Sequence, residues 1–369
     1  MNSSVGVFGE WLARNGLGRR FYPIPAEIAA PFDDQMGRFN RRLDEVRPKL
    51  SAGRGIDVYA DFIDDGRFNA VAGVVDGMGM VGIYKGAILL PFEMFYRMFS
   101  HPLVPQGLGQ SQMERIGPQH SEGLTEDYDE LVEARRRAGR QVLPRPPLDG
   151  TRQGVAMTCC DLVWGFIVWH ELIHILHGHV EYAFAAKRMS VIREVSHAAW
   201  TAACQGDIDC QALELWADSK AVSIVLRGLL LKSDVPAFPR PQDKVFIWTF
   251  AMFTLFRIWG LAINPQALGG SHPPTAMRFE MAIHGGVADA LAIWPEPSED
   301  LWQAVYAGEA EAEKAIRYCG GEQLLPDRLI GTRDPRVKEH RHVLCEHLRM
   351  VLVPELRRYS HVPLEGDGY

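Results

Sequence analysis

The stretch "VWHELIHILHGHVEY" (168–182) places four histidines within ten residues, with Glu171 directly after the first. On a helix, His170 and His174 project from one face, four residues apart, so both imidazoles can reach one ion. Glu171 lies one step round from His170, where its carboxylate can take a proton from water without ligating. Zinc chemistry requires that division of labour. Neutral imidazoles hold Zn²⁺, the ion acidifies its water, and a nearby carboxylate accepts the proton. The surroundings, "LVWGFIVWHELIHIL", form the apolar helical context in which such a pattern belongs.

A third protein ligand has to come from elsewhere. His177 shares the face of His174 but lies seven residues beyond His170, roughly 10 Å along a helix. That is too far to join the same ion, so His177 reads as a support behind a ligand or as a hydrogen-bonded core histidine. His179, after Gly178, falls at the helix exit. Two glutamates compete for the vacant role. Glu194 follows His174 by twenty residues but sits among "SVIREVSH", the texture of a surface salt bridge. Glu214, in "DCQALELWADSKAVSIVL", pairs with Asp218 on one face of an apolar helix. Burying two carboxylates side by side is costly unless a cation or strong donors compensate. Glu214 is therefore the preferred ligand, with Asp218 supporting a ligand histidine or pairing with an arginine. In "GGSHPPTAMRFEMA" (269–282), two prolines fix a rigid turn after His272, and Arg278 follows on a helix. His272 is a candidate donor to a developing oxyanion, and Arg278 a candidate partner of Asp218.

The elements that must position these groups follow from the pattern of the chain. Residues 1–50 read as a polar helical segment on the outside of the fold. "FNAVAGVV" (68–75) and "MVGIY" (80–84) flank "DGMG", a strong hairpin signal. The apolar run "AILLPFEMFYRMF" then begins a helix. Residues 118–154 are polar and rich in Pro and Gly, a long connection or lid over a cleft. "EARRRAGRQVLPRPP" (133–147) within it reads as a charge-balanced solvated surface. Three apolar helical segments follow at about 155–178, 207–232 and 244–263. Two more helices, within 286–369, pack on the same domain. The fold class is α+β, a small strand layer followed by helices.

"HELIH", then "ELWAD", then "SHPPTAMR", in that order, resembles the gluzincin metallopeptidases of the CAAX-prenyl-protease and heat-shock membrane-protease family. The metzincin pattern is excluded, because His177 stands where that pattern has Gly and Val180 where it has its third His. The resemblance spans about 68–282. It implies a zincin-like fold over 51–285, a small mixed sheet with an edge strand above a helical subdomain carrying the metal. On that reading the edge strand is the segment around 68–75, and Asn69, Ala70, Val71 and Ala72 bind a peptide by β-augmentation. The flanking membrane helices of the prenyl proteases are missing, which shifts the comparison toward relatives such as the phage-exclusion Lit-type peptidases.

Composition bounds the rest. The 369 residues are 47% apolar and 23% charged, with a net charge of -7, which argues against a nucleic-acid partner. The N-terminal residues lack a signal-peptide pattern, and the six cysteines form no CxxC pair, as expected of a cytoplasmic chain. The run 245–263 is as long as a membrane span, but Arg257 inside it favours a buried core helix. The expected function is a zinc-dependent endopeptidase acting on a protein or peptide, with Glu171 as general base. The alternatives are a regulatory zinc-fold protein that binds a partner without cleaving it, and a structural protein whose histidines only satisfy a core.

Overall fold

The computed structural model describes residues 4–26, 29–46, 55–105, 107–122, 125, 127–187, 191–193, 207–232, 237–262, 272–294, 298–321 and 335–364. Helices dominate it, with one small mixed sheet, an α+β arrangement. Its strands are β1 (Asp57–Ile63), β2 (Ala70–Val75), β3 (Met78–Tyr84) and β4 (Val191–Arg193). They lie in the order β1-β3-β2-β4. β1 runs parallel to β3, and the other two pairings are antiparallel. The hairpin between β2 and β3 turns at Asp76 and Gly77, whose φ angles of 50° and 78° both lie in the left-handed region. A two-residue turn with both central φ positive matches the twist of its strands, which is why Asp-Gly marks it in the sequence.

Two layers cover this sheet. Helix α1 (Ser4–Arg14) closes one face, packing Phe8, Trp11 and Leu12 on Val71, Met80 and Tyr84. Gly73 makes that approach possible, since a Cβ there would stand 2.8 Å from the Trp11 ring. Ala70, Ala72, Val81 and Ile83 face the other way, into the main core. On that side Gly79 lets Ile175 of the central helix close in, a Cβ at Gly79 falling 2.9 Å from it.

Helices α2 (Ala29–Val46), α3 (Lys85–Phe99), α4 (Tyr128–Arg137) and α5 (Gly150–Leu176) come next. α5 is the axis of the molecule. The Asp149 side chain accepts from the Arg152 N–H to cap it, and it is apolar all round, as a helix enclosed on every side must be. Among the described residues it is the one helix long and apolar enough to cross a membrane, and it lies in the core. It ends at Gly178, whose φ of 74° terminates the helix in the usual left-handed way. The Leu176 carbonyl, left without a helical donor, accepts from the His361 N–H at 2.8 Å and the Ser360 hydroxyl at 3.2 Å. His361 also meets Glu181 at 2.6 Å, so residues 359–362 fasten the end of α5.

Around α5 stand α6 (His179–Lys187), α7 (Ile208–Leu230), α8 (Pro241–Ala262), α9 (Thr275–Ile293), α10 (Ser298–Ile316) and α11 (Pro335–His347). α8 carries most of the run suspected of spanning a membrane. Val245, Trp248, Phe250, Leu255 and Phe256 are all buried in the main core, and Arg257 is half-buried. One hydrophobic cluster reaches from Phe32 to Leu356, so the segments before residue 50 and after 286 share the core of the central region.

The polar connection 118–154 contains α4 and a short turn at Pro118–Ser121, and three of its charged groups, Arg135, Asp149 and Arg152, are buried. Arg135 is buried, donating to Glu93 at 2.8 Å and to Glu122 at 2.6 Å, while Arg97 also meets Glu93 at 3.2 Å. Arg152 is enclosed by carbonyls, donating to those of Phe99 at 2.7 Å and His101 at 2.8 Å. The rest of the stretch is the solvated surface its composition suggests, with Glu133, Arg136, Arg137, Arg140 and Arg145 exposed. Glu93→Ala should cost about 3–5 kcal/mol in urea denaturation, because it leaves Glu122 alone to compensate the buried Arg97 and Arg135. A loss below about 1 kcal/mol would show that the network is not holding α4 in place.

Candidate metal centre

α5 and α7 lie side by side and supply the central groups. His170 and His174, one turn apart on α5, bring their Nε2 atoms to 2.9 Å of each other. From α7, Glu214 approaches both, with oxygens 3.3 Å from His170 Nε2 and 3.5 Å from His174 Nε2. One donor atom from each of these three residues falls within 4.8 Å of the other two, a buried group able to hold a metal ion. Glu171, buried beside them, is offset from His170 by about 100° round the helix.

The ring atoms facing away from this point are engaged as well. His170 Nδ1 lies 3.1 Å from Asp218, one turn beyond Glu214 on α7. The carboxylate favours a proton on Nδ1, which leaves the Nε2 lone pair pointing inward. Asp218 is itself gripped by Arg278 of α9 through two bonds, Nε at 2.6 Å and Nη2 at 2.8 Å. Arg278 lies over the Trp259 ring at 4.8 Å, a setting that tolerates a buried guanidinium. His272, just before α9, sets Nε2 at 3.7 Å from Glu214. The prolines after His272 and the first turns of α9 thus carry both His272 and Arg278 to the centre.

His174 has a partner that the spacing did not reveal. The His179 ring, at the start of α6, places Nδ1 3.0 Å from His174 Nδ1. One ring must donate and the other accept. A proton on His174 Nδ1 leaves its Nε2 free for a metal, the same polarity that Asp218 imposes on His170. Burial holds both His174 and His179 well below the ordinary histidine range, with neighbouring positive groups adding to the effect. The ligand ring is therefore neutral, the form that coordinates. The signal in the sequence was "HGH": the left-handed Gly178 turns the chain back sharply enough to return His179 to the helix it has just left.

Two expectations need correction here. His177 caps α5 and meets Trp216 edge-on, ring centroids 5.5 Å apart, without touching His170 or His174. Burial pushes its pKa down to about 3. Its position three residues after His174 put it on the right face, but the helix ends there and the ring turns toward α7. The second concerns the strand. Asn69, Ala70, Val71 and Ala72 are buried, and β2 is an inner strand, because β4 pairs with Val71, Ala72 and Gly73. No peptide can add to an edge already taken; on this side of the described sheet the outer strand is β4. Glu194 lies outside the described residues.

The donor set suits a divalent cation. Neutral imidazoles with Glu171, Glu214, Asp218 and Arg278 leave two net negative charges in an enclosed place, which a divalent ion would compensate. The chain matches no family model, no curated protein and no solved structure. What the centre does must be argued from its own geometry.

His179→Ala should weaken metal binding about 10–100-fold in a calorimetric titration, the usual cost of losing a group that orients a ligand. His177→Ala should leave the affinity within a factor of about two by the same argument. Equal losses in the two variants would mean that both rings act only through packing.

Proposed function

We propose that this chain is a zinc-dependent endopeptidase with a zincin-like arrangement, hydrolysing a protein or peptide substrate. The observation that carries the reading is the convergence of His170, His174 and Glu214 with Glu171 beside them. Two imidazoles and one carboxylate leave a tetrahedral ion an open position, the hallmark of a catalytic rather than a structural zinc. Zinc bound there would lower the pKa of a water and polarise the scissile carbonyl. Glu171 takes the water's proton and delivers it to the leaving amine. Asp218 and His179 keep the two ligand rings turned with Nε2 inward, and Arg278 keeps Asp218 in place. His272 donates to the oxygen of the carbonyl as it gains charge. Among the described residues β4 pairs only with β2, and its outer side is where an extended substrate would add. The negative net charge is consistent with a substrate other than nucleic acid, and a cytoplasmic location fits the cysteine pattern.

One observation favours a second reading. Each of the eight groups named around the centre, from His170 to Arg278, is at most 4% exposed. Such enclosure suits a regulatory zinc-fold protein that binds a partner without cleaving it, or a peptidase that must open to act. Metal analysis followed by an assay on unfolded protein substrates separates these readings. The peptidase predicts about one zinc per chain, lost in His170→Ala, His174→Ala and Glu214→Ala. Asp218→Asn should keep metal at about 10–100-fold lower affinity. Glu171→Gln should retain zinc and fold while hydrolysis falls by about 10²–10⁴-fold. Zinc-loaded protein that cleaves nothing, and whose Glu171→Gln variant behaves identically, would favour the non-cleaving reading.

A further inference from the structure

One groove of about 1650 Å³ lies along α5 and α7 and is lined by none of the groups at the metal centre. Trp169 and Ile173 of α5 and Leu215 and Trp216 of α7 form its floor, and Leu344 of α11 with Leu348 its opposite wall. Ala212 and Leu231 both line it, so it follows α7 for nineteen residues, about 28 Å at 1.5 Å per residue. That is long for a small-molecule site, which typically measures about 300–1,000 Å³. A helix is about 10–12 Å across, so three to four turns of one would fill on the order of 1,300–2,200 Å³.

Charge narrows the choice of occupant. The chain as a whole is acidic, yet the groove is bordered by Lys220, Arg227 and Arg349. Its one carboxylate, Glu346, is matched by His342 at 3.5 Å. Arg227 and Arg349 are exposed and form no ion pair among the described residues. Lys220 and Arg227 are seven residues apart on α7, two turns along the same rim, the spacing at which acidic residues recur on one flank of a helix.

We propose that this groove is a docking site for an acidic amphipathic helix of a protein partner. Leucine-type side chains at helical spacing would bury against Leu231 and Met350, both more than half exposed, and the half-buried Ile224 and Val353, with glutamates or aspartates meeting the basic rim. Gly228 supplies a selective test. It lines the groove, and a Cβ added there meets nothing within 4 Å. Gly228→Phe therefore adds an aromatic side chain at the groove without a Cβ clash, and replaces a helix-weakening residue.

The experiment is fluorescence anisotropy with a labelled peptide carrying leucines at helical spacing and flanking glutamates, beside a twin with lysines in their place. The full chain should bind the acidic peptide saturably and the basic twin at least about 10-fold more weakly. Gly228→Phe and the double variant Arg227→Glu/Arg349→Glu should each weaken acidic-peptide binding by about 10-fold or more, the scale of a lost interface anchor. Their thermal melts and zinc content should match wild type, so the outcome does not depend on whether the chain is a peptidase. The proposal is overturned if the acidic peptide does not bind, if the twins bind equally, or if Gly228→Phe binds like wild type. Saturable palmitate uptake blocked by Gly228→Phe, without peptide binding, overturns it in favour of a lipid.

Discussion

A carboxylate with no access to water has to be held from several directions at once, and Asp218 is that carboxylate here. Its oxygens receive two bonds from Arg278 and face His170 Nδ1 at 3.1 Å. Three elements that are far apart in sequence, α5, α7 and the start of α9, are thereby locked to one point. Removing Arg278 would leave an uncompensated buried charge, which costs far more than an ordinary contact. The pair with Arg278 also decides what Glu214 can do. With the guanidinium committed to Asp218 and only 3.8 Å from Glu214, the glutamate keeps an oxygen toward each imidazole.

The two ligand rings are oriented by different chemistry. His170 is backed by a carboxylate, His174 by another imidazole. A carboxylate raises the basicity of the ring it accepts from, whereas a neutral histidine does so far less. The centre is therefore electronically lopsided although its two histidines occupy equivalent helix positions. The asymmetry follows from where the chain turns: α7 passes behind His170, while the reversal at Gly178 returns α6 behind His174.

Much of this was legible before the structure, for identifiable reasons. The i,i+4 spacing of His170 and His174 survives translation into three dimensions because a helix allows no other outcome. Glu214 and Asp218 stood out because charge in an apolar helix demands a partner, and Asp76-Gly77 because its backbone geometry excludes most other residues. What escaped notice depends on tertiary pairing. β1, "DVYADFI", is acidic at two of its seven positions and lacks clean alternation; it is a strand because β3 offers it a parallel partner. β4 is three residues long, too short for any periodicity, yet it displaces β2 from the edge. His179 was read as a helix exit because helical geometry stops at Gly178, and its return to His174 is a property of the turn. Within 118–154 the pattern marked the solvated charges, such as Arg136 and Arg140, but not the buried ones, since arginines such as Arg135 and Arg152 are as polar inside as out.

The fastening of α5 by residues 359–362 places a constraint on timing. Leu176 and Ser360 are 184 residues apart, yet the carbonyl of the first accepts from the hydroxyl of the second. At about 5–20 residues per second, a ribosome needs on the order of 10–40 s to make the chain between them. During that interval the end of α5 has an unsatisfied carbonyl, and Gly178 lacks the Tyr359 backbone that packs against it. The reversal that carries His179 back to His174 is thus incomplete on a nascent chain. The placing of His179 behind His174 therefore waits on a segment made long after both.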